Sequence, residues 1–550
     1  MASIPQLARN ANRVRQIVTI LSRYGMADWL SRLGLRFTFG LFRGSGGQQL
    51  VSLSHETRIR LVLTELGTTF IKFGQILSTR ADIVGAKLAQ ELSHLQSSAP
   101  ADPPEVVRAL IERELDAPID SLFARFEDTP LASASIGQVH RARLHTGEEV
   151  AVKVQHKDID KVVRADLDIL LTLAELAEKH IPEMRIYRPR AITAEFQRIL
   201  LRELDFRREE RNLAQFVSNF AGDSTVRFPK PYHRLTTSRV LTMEWLDGVK
   251  LHETALLHQQ GVDLQQVARR GAMVFLEMIF RDGVYHADPH PGNLLVLKDG
   301  VIGVLDCGMV GRIDGAMRDD LEEVLMALAQ RDPVLITAVV MRVGRVPPEL
   351  DEAALSTDLA EMLADYTNQP LDELNLGNAL NDITEVIRRH RIILPTGIAL
   401  LIKVLVMLDG TSRLLHPQFN LIELIQPFYS RLVWNRLSPT TQWKKLRRLY
   451  HEWEYLSRML PRGLVGLVQQ LQSGRFDVHL EHKRLEPSVN RMVLGLLSSS
   501  LFLGSALMWT HEVRPLFLGV SVFGALGCLL SLVMGIRLLW AIRKSGHLDR

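Results

Sequence analysis

His286-Ala287-Asp288-Pro289-His290-Pro291-Gly292-Asn293, followed a dozen residues later by Leu305-Asp306-Cys307-Gly308, carries the densest chemistry in this chain. Between them, Leu294-Leu295-Val296 and Ile302-Gly303-Val304 flank the turn residues Asp299-Gly300. This pattern predicts a hairpin that returns Asp306 towards Asn293. In a phosphoryl-transfer site one carboxylate orients the nucleophile's proton, while an amide and a second carboxylate hold the Mg²⁺ that bridges the phosphates. Asp288 fits the first role, and Asn293 and Asp306 fit the second. A rival reading takes His286, Asp288 and His290 as alternating ligands of a transition metal. It leaves Asn293 and Asp306 without a purpose.

The same spacing is that of the protein-kinase catalytic loop and a variant of its Asp-x-Gly motif. Upstream, and in the order a kinase requires, Val150-Ala151-Val152-Lys153 reads as the strand whose lysine meets the α- and β-phosphates. Where a kinase carries a Gly-rich phosphate loop, this chain has Ala132-Ser133-Ala134-Ser135-Ile136-Gly137-Gln138-Val139. Alanines restrict a backbone that glycines would leave free, so Ala134, Ser135 and Gly137 are expected to grip a nucleotide differently. Met243-Glu244-Trp245, after the apolar strand 240–242, is placed where two lobes join and backbone groups meet adenine. Cys307 stands where Asp-Phe-Gly has its Phe. A small buried residue is the expected role, with a reactive thiol as the lesser one.

The Ala-rich loop, the His286–Asn293 loop and Lys72-Phe73-Gly74-Gln75 in a preceding helix together resemble the UbiB/AarF family of atypical kinase-like ATPases. The resemblance spans about residues 61–311. It implies ATP and Mg²⁺ as cofactors and a link to ubiquinone and other prenyl lipids. It also implies that the Lys-x-Gly-Gln helix covers the site, bringing Lys72 and Gln75 into it. Their partner would be the Glu-x-Asp motif Glu203-Leu204-Asp205. Residues 191–220 read as one helix, on which Glu209 lies about 600° round from Glu203. Lys72 is therefore paired with Glu203 or Asp205, and Lys153 with Glu209. An intrahelical ion-pair face across 202–211 is the plainer alternative.

Outward from this centre the chain is ordinary in bulk. It has 550 residues, 46% apolar and 23% charged, and a net charge of +4 that argues against a nucleic-acid binder. Two distant cysteines exclude a disulfide framework. The first 60 residues hold nine arginines and no lysine, without a signal-peptide core. That arm is expected to lie on an anionic membrane, act as a targeting segment, or form a solvated basic helix. Residues 492–509 and 515–535 are uncharged runs long enough to cross about 30 Å of hydrocarbon as helices. Lys483, Arg484 and Arg491 before them, and Arg537, Arg543 and Lys544 after, place both ends in the cytoplasm by the positive-inside rule. Gly519, Gly524, Gly527, Ser521 and Ala525 offer small surfaces for close helix approach, which would allow copies to associate through the membrane.

The expected fold is α+β: a bilobal protein-kinase-like domain with an N-terminal helical extension and a C-terminal two-helix transmembrane hairpin. Its parts are a basic arm (1–50), the extension (51–130), an N-lobe (131–247), a helical C-lobe (248–490), and the hairpin and tail (491–550). The expected function is a membrane-anchored ATPase at a bacterial inner membrane, acting on a membrane lipid or prenyl-quinone precursor beside other quinone-biosynthesis proteins, with no nucleic-acid partner. A small-molecule or lipid kinase, and a nucleotide-binding scaffold without turnover, are the alternatives.

Overall fold

The strand residues Val150, Val152 and Val154 are fully buried on one face of a sheet, while Ala151 and Lys153 alternate to the other. This period-2 division positions the site. On the outer face, the helix Pro104–Leu115 lays Val107, Leu110 and Ile111 against the three valines, and Lys153 emerges on the inner face. In the computed structural model the sheet is antiparallel, in the order Arg125–Phe126, Gly137–Arg143, Glu149–Gln155 and Val240–Glu244. Ala132–Ser133 pairs with the second of these strands. The structure describes residues 11–26, 53–95, 99–330, 332–367, 375–425, 427–428, 485–511, 513–517 and 520–544. Residues 27–50 of the basic arm, residues 429–484 of the expected C-lobe and Gly519 lie outside these residues.

Below the sheet the chain turns helical. Leu264–Glu277, Gly315–Gln330, Pro333–Val343, Glu352–Thr367, Leu376–Arg389 and Thr396–Leu415 are the long helices there among the described residues. They enclose part of the main core and a second apolar cluster that includes Leu355, Leu359, Ile383 and Ile387. The expected hairpin forms as the antiparallel pair Leu294–Val296 and Ile302–Val304, with Asp299 and Gly300 in left-handed conformation at its tip. Val284–His286 pairs with Val310–Arg312, so both ends of the polar loop system are anchored by strands. The mixed α+β, bilobal kinase-like fold read from the sequence is the one observed.

Three expectations are corrected. Residues 191–220 are two helices, Pro189–Glu203 and Phe206–Asn219. The break has a cause in hydrogen bonding: Asp205 caps the second helix through Arg207 N, Gln155 Nε2 donates to Leu204 O (2.6 Å), and Phe206 N donates to Ser238 O. The interrupted backbone is thus satisfied by the sheet that carries Lys153. The basic arm contains a helix, Ala11–Arg23, that is not solvated all round. It buries Ile17, Val18 and Ile20, and Arg13 donates to both Asp166 and Leu66 O at 2.7 Å. The second apolar helix begins at Val522 rather than 515 and runs to Lys544, so Arg537 and Arg543 lie within it rather than beyond it. Leu516–Phe517 and Val520–Ser521 form a short antiparallel pair before it.

Contacts divide the chain into two units, Met1–Ser438 and Pro439–Arg550. In the second, Leu485–Thr510 and Val522–Lys544 pack side by side. Ser498 Oγ donates to Ser531 O at 3.0 Å. A side chain added at Gly524 would meet Ser505 O and Trp509 N at 2.9 Å, so the small residues serve contact between the two helices. Met492–Thr510 and Val522–Trp540 each present 19 residues of high mean hydropathy, of which little is covered.

Candidate active site

A cavity of about 610 Å³ lies between the sheet, the helical extension and the helical lobe, within the usual size for a small-ligand site. Its lining brings together Lys72, Gln75, Ala134, Ser135, Gly137, Lys153, Glu203, Glu209, Asp288, Asn293 and Asp306. These residues come from six separate stretches of chain.

The helix Thr68–Leu77 follows the helix His55–Leu66 after a single Gly67 at φ +92°, a conformation that favours glycine. Thr68 Oγ1 donates to Ser135 O (2.9 Å), pinning the start of this helix to the Ala-rich loop. Gly74 is needed for close packing, since a Cβ there would lie 2.3 Å from Leu95 Cδ1. Lys72 then projects across the cavity and lies 3.1–3.2 Å from both carboxylate oxygens of Glu203. Burial alone would lower the Lys72 pKa, but Glu203 and Asp306 outweigh it and raise it. Gln75 Nε2 donates to Leu95 O at 3.0 Å. The Glu-x-Asp motif divides: Glu203 takes Lys72, whereas Asp205 pairs with Arg207 at 2.9 Å and is not among the lining residues.

Lys153 Nζ lies 2.8 and 3.0 Å from the two oxygens of Glu209, 3.5 Å from Asp306 Oδ2, and 5.2 Å from the Phe206 ring centroid. Burial would lower this lysine's pKa; Asp306 and Glu209 outweigh it and raise it well above the ordinary lysine value. Burial pushes Glu209 up to about 7, with Lys153 opposing. Asp306 is held well below the carboxylate range because Lys153, the Gly308 amide and Lys72 outweigh its burial. The Gly308 N–H donates to Asp306 Oδ1 at 2.8 Å. Glu210, beside Glu209 in sequence, points elsewhere and pairs with His233.

In the polar loop, Asn293 Nδ2 donates to Asp288 Oδ2 at 3.1 Å, leaving its amide oxygen as the ligand end. His286 is buried; its Nε2 bonds Asp306 O and its Nδ1 accepts from Asp288 N. His290 Nδ1 accepts from Gly292 N. The histidines therefore brace the loop backbone, and no group of three His, Cys, Asp or Glu able to hold a metal exists among the described residues. The transition-metal reading is overturned by this geometry. What remains is one ionised carboxylate and one amide oxygen, hard donors of the kind Mg²⁺ takes.

Gly137 lines the cavity, yet its own constraint is the sheet: a Cβ there would meet Val154 O at 2.3 Å. Glu244 is outside the lining, forming an ion pair with Arg227 and accepting from Lys230 N. Cys307 is fully buried, and burial raises its thiol pKa well above the ordinary value. Among cavity residues that sequence reasoning missed, Lys403 stands out. It arises from Thr396–Leu415, and its Nζ is 3.8 Å from Asp288 Oδ1. Burial lowers its pKa, with Asp288 opposing. The signal was a lone charge in the apolar run Ala399-Leu400-Leu401-Ile402-Lys403-Val404-Leu405, which only an opposite charge inside the fold explains.

Comparison with known proteins returns three family matches: the ABC1 atypical kinase-like domain over residues 94–340, the UbiB helical domain over 359–420, and the ABC1/UbiB kinase-like C-terminal domain over 479–544. A probable protein kinase UbiB of Pseudomonas paraeruginosa is 33% identical over 471 residues, covering 83% of this chain and 88% of that protein. Its counterpart in Aeromonas hydrophila is 31% identical over 533 residues, covering 93% and 96%. A solved structure of the Mycobacterium tuberculosis Rv3197–erythromycin complex aligns with 26% identity and a TM-score of 0.45, covering 64% of this chain and 90% of that one.

Proposed function

From the membership of this chain in the ABC1/UbiB family of atypical kinase-like proteins, we propose that it is a membrane-anchored, magnesium-dependent ATPase or atypical kinase supporting the biosynthesis or handling of ubiquinone and related prenyl lipids. The observation that carries this reading is the convergence of Lys153, Asp288, Asn293 and Asp306 on one cavity. Asp288 holds and orients the nucleophile's proton, with one carboxylate oxygen fixed by Asn293. Lys153, kept cationic by Glu209 and Asp306, attracts phosphate oxygens. Asn293 and Asp306 would hold Mg²⁺, which would supply charge neutralisation to a phosphoryl group in the cavity. The Ala-rich loop lines this cavity through Ala134 and Ser135, with the Ala134 N–H donating to Gly137 O at 2.9 Å.

The Lys72 helix closes one side of this cavity through its ion pair with Glu203 and the Thr68–Ser135 bond. Such a closed site favours water or a small hydroxyl as acceptor over a peptide. Support for membrane insertion comes from the two C-terminal helices: Leu496, Leu503, Leu507, Leu526, Leu529 and Leu532 are 59–63% exposed, an apolar surface water does not tolerate. With both ends on the positive side of the bilayer, the catalytic unit faces the cytoplasm.

The test is product analysis with the full chain in lipid nanodiscs, using labelled MgATP and a prenyl-phenol or prenyl-quinone precursor. Free phosphate identifies the ATPase and label in the lipid identifies the lipid kinase. Asp288→Asn lowers either rate by about 10²–10⁴-fold, the worth of a general base. Nucleotide binding with no turnover in the wild type leaves the scaffold reading instead.

A further inference from the structure

We propose that Lys403 is a further catalytic residue, contributed by the helix Thr396–Leu415 beyond the residues that match the ABC1 kinase-like domain, whose ammonium meets the phosphoryl group as it passes to the acceptor oriented by Asp288. This rests on the reading of the cavity as an ATP site. The kinase-like match ends at residue 340, whereas Lys403 falls in the UbiB helical match over 359–420.

Four observations converge. The carboxylate of Asp288 is divided: Oδ2 accepts from Asn293 at 3.1 Å, and Oδ1 faces Lys403 Nζ at 3.8 Å. That separation is an ion pair looser than a hydrogen bond, so the ammonium retains donors for a third party. The other two deep lysines of the cavity are committed, Lys72 to Glu203 at 3.1 Å and Lys153 to Glu209 at 2.8 Å. His290, the next basic side chain along the loop, uses Nδ1 to accept from Gly292 N. Finally, Lys403 is held rigidly, since Leu401, Val404 and Leu405 around it are buried and its own side chain is only 14% exposed. A buried ammonium placed against an acceptor-orienting carboxylate, and not locked to it, is set where transferred negative charge appears.

The step balances without further reagents. The acceptor oxygen, from water or a hydroxyl, forms a bond to the γ-phosphorus as the bond from that phosphorus to the β,γ-bridging oxygen breaks. The bonding electrons leave with ADP, and the acceptor's proton passes to Asp288. Lys403 keeps its protons and donates hydrogen bonds to the equatorial oxygens of the moving group.

The test begins on unmutated full-length protein. Trace acetylation of lysines is followed by mass spectrometry in detergent, with nucleotide affinities measured in parallel by calorimetry. The β,γ-imido analogue of ATP with Mg²⁺, at ten times its Kd, lowers Lys403 modification about tenfold, as its occupancy requires. MgADP at the same occupancy leaves Lys403 modified within about twofold of the free protein, because it lacks the γ-group. Equal protection by both nucleotides, or by neither at verified saturation, overturns the proposal and leaves Lys403 a counter-ion of Asp288. Kinetics give the second arm. Lys403→Met lowers kcat about 10²–10³-fold while the Kd for MgADP is unchanged. A folded Lys403→Met protein with the wild-type kcat, beside an inactive Asp288→Asn, also overturns it. A wild type that binds no nucleotide overturns the ATP-site reading itself, and the two failures are distinguished by the calorimetry.

Discussion

Replacing Lys72 by Ala removes the ion pair between the helix Thr68–Leu77 and the Glu203 helix, and leaves a carboxylate that is 11% exposed without its cation. At about 4 Å between charge centres and an effective dielectric near 20, the pair is worth roughly 4 kcal/mol before desolvation. Removing one partner of a buried pair generally costs about 3–5 kcal/mol, because the other stays buried and uncompensated. Glu203 also sits in the field of Glu209 and Asp306, so loss of Lys72 leaves three carboxylates facing Lys153. The expected effect is local. Opening of the helix Thr68–Leu77 becomes easier by about 3 kcal/mol, which accelerates exchange of its amides roughly 150-fold. Lys72→Met combined with Glu203→Met recovers most of that loss, since two apolar groups replace the pair. The folded-state pKa of Lys72 is raised, so its contribution is complete below the unfolded value near 10.4 and is lost as pH rises through the folded one. The contribution of the Lys72 charge to the protection of this helix is therefore constant up to about pH 10. Hydrogen–deuterium exchange by mass spectrometry reads all of this. Exchange within twofold of the wild type in Lys72→Ala, or a double variant as exposed as the single, would refute the reasoning.

Two further outcomes are expected. Cys307 is fully buried with its thiol pKa raised, so a Cys528→Ser protein resists iodoacetamide at pH 8 and takes up one equivalent only after unfolding; rapid labelling of the native protein contradicts its burial. Gly137→Ala forces a Cβ to within 2.3 Å of the Val154 carbonyl across the strand pair, which destabilises the sheet by about 1–3 kcal/mol; an unchanged Tm shows that the sheet yields freely there.

Much of the site was legible in the sequence because its residues lie in short motifs with fixed internal spacing. Asp288, Asn293 and Asp306 are separated by one loop and one tight hairpin, so their meeting follows from local structure. Lys153 was found through the Val150-Ala151-Val152-Lys153 strand motif and its order before the catalytic loop. The separation of Glu203 from Glu209 was expected for another reason than the one observed. Continuous helical periodicity over 191–220 hid a break at Leu204-Asp205, where the Leu204 carbonyl and the Phe206 amide are satisfied by Gln155 and Ser238 respectively. The same holds for Lys403, which lies 115 positions from Asp288 and meets it only through packing of the helical lobe. Asp205 and Glu244 belong to motifs at the site, yet their side chains are drawn off by Arg207 and Arg227, a competition that spacing does not encode. The start of the last helix was misread because composition alone does not separate the strand pair 516–521 from an apolar helix.

The measurement that bears most directly on the whole account is calorimetric titration of the purified full chain with ATP, with and without Mg²⁺, beside Asp306→Asn. Binding is expected to require Mg²⁺ and to fall at least about tenfold in the folded variant through loss of a carboxylate ligand. Equal affinity in the presence and absence of Mg²⁺, or in wild type and Asp306→Asn, contradicts it.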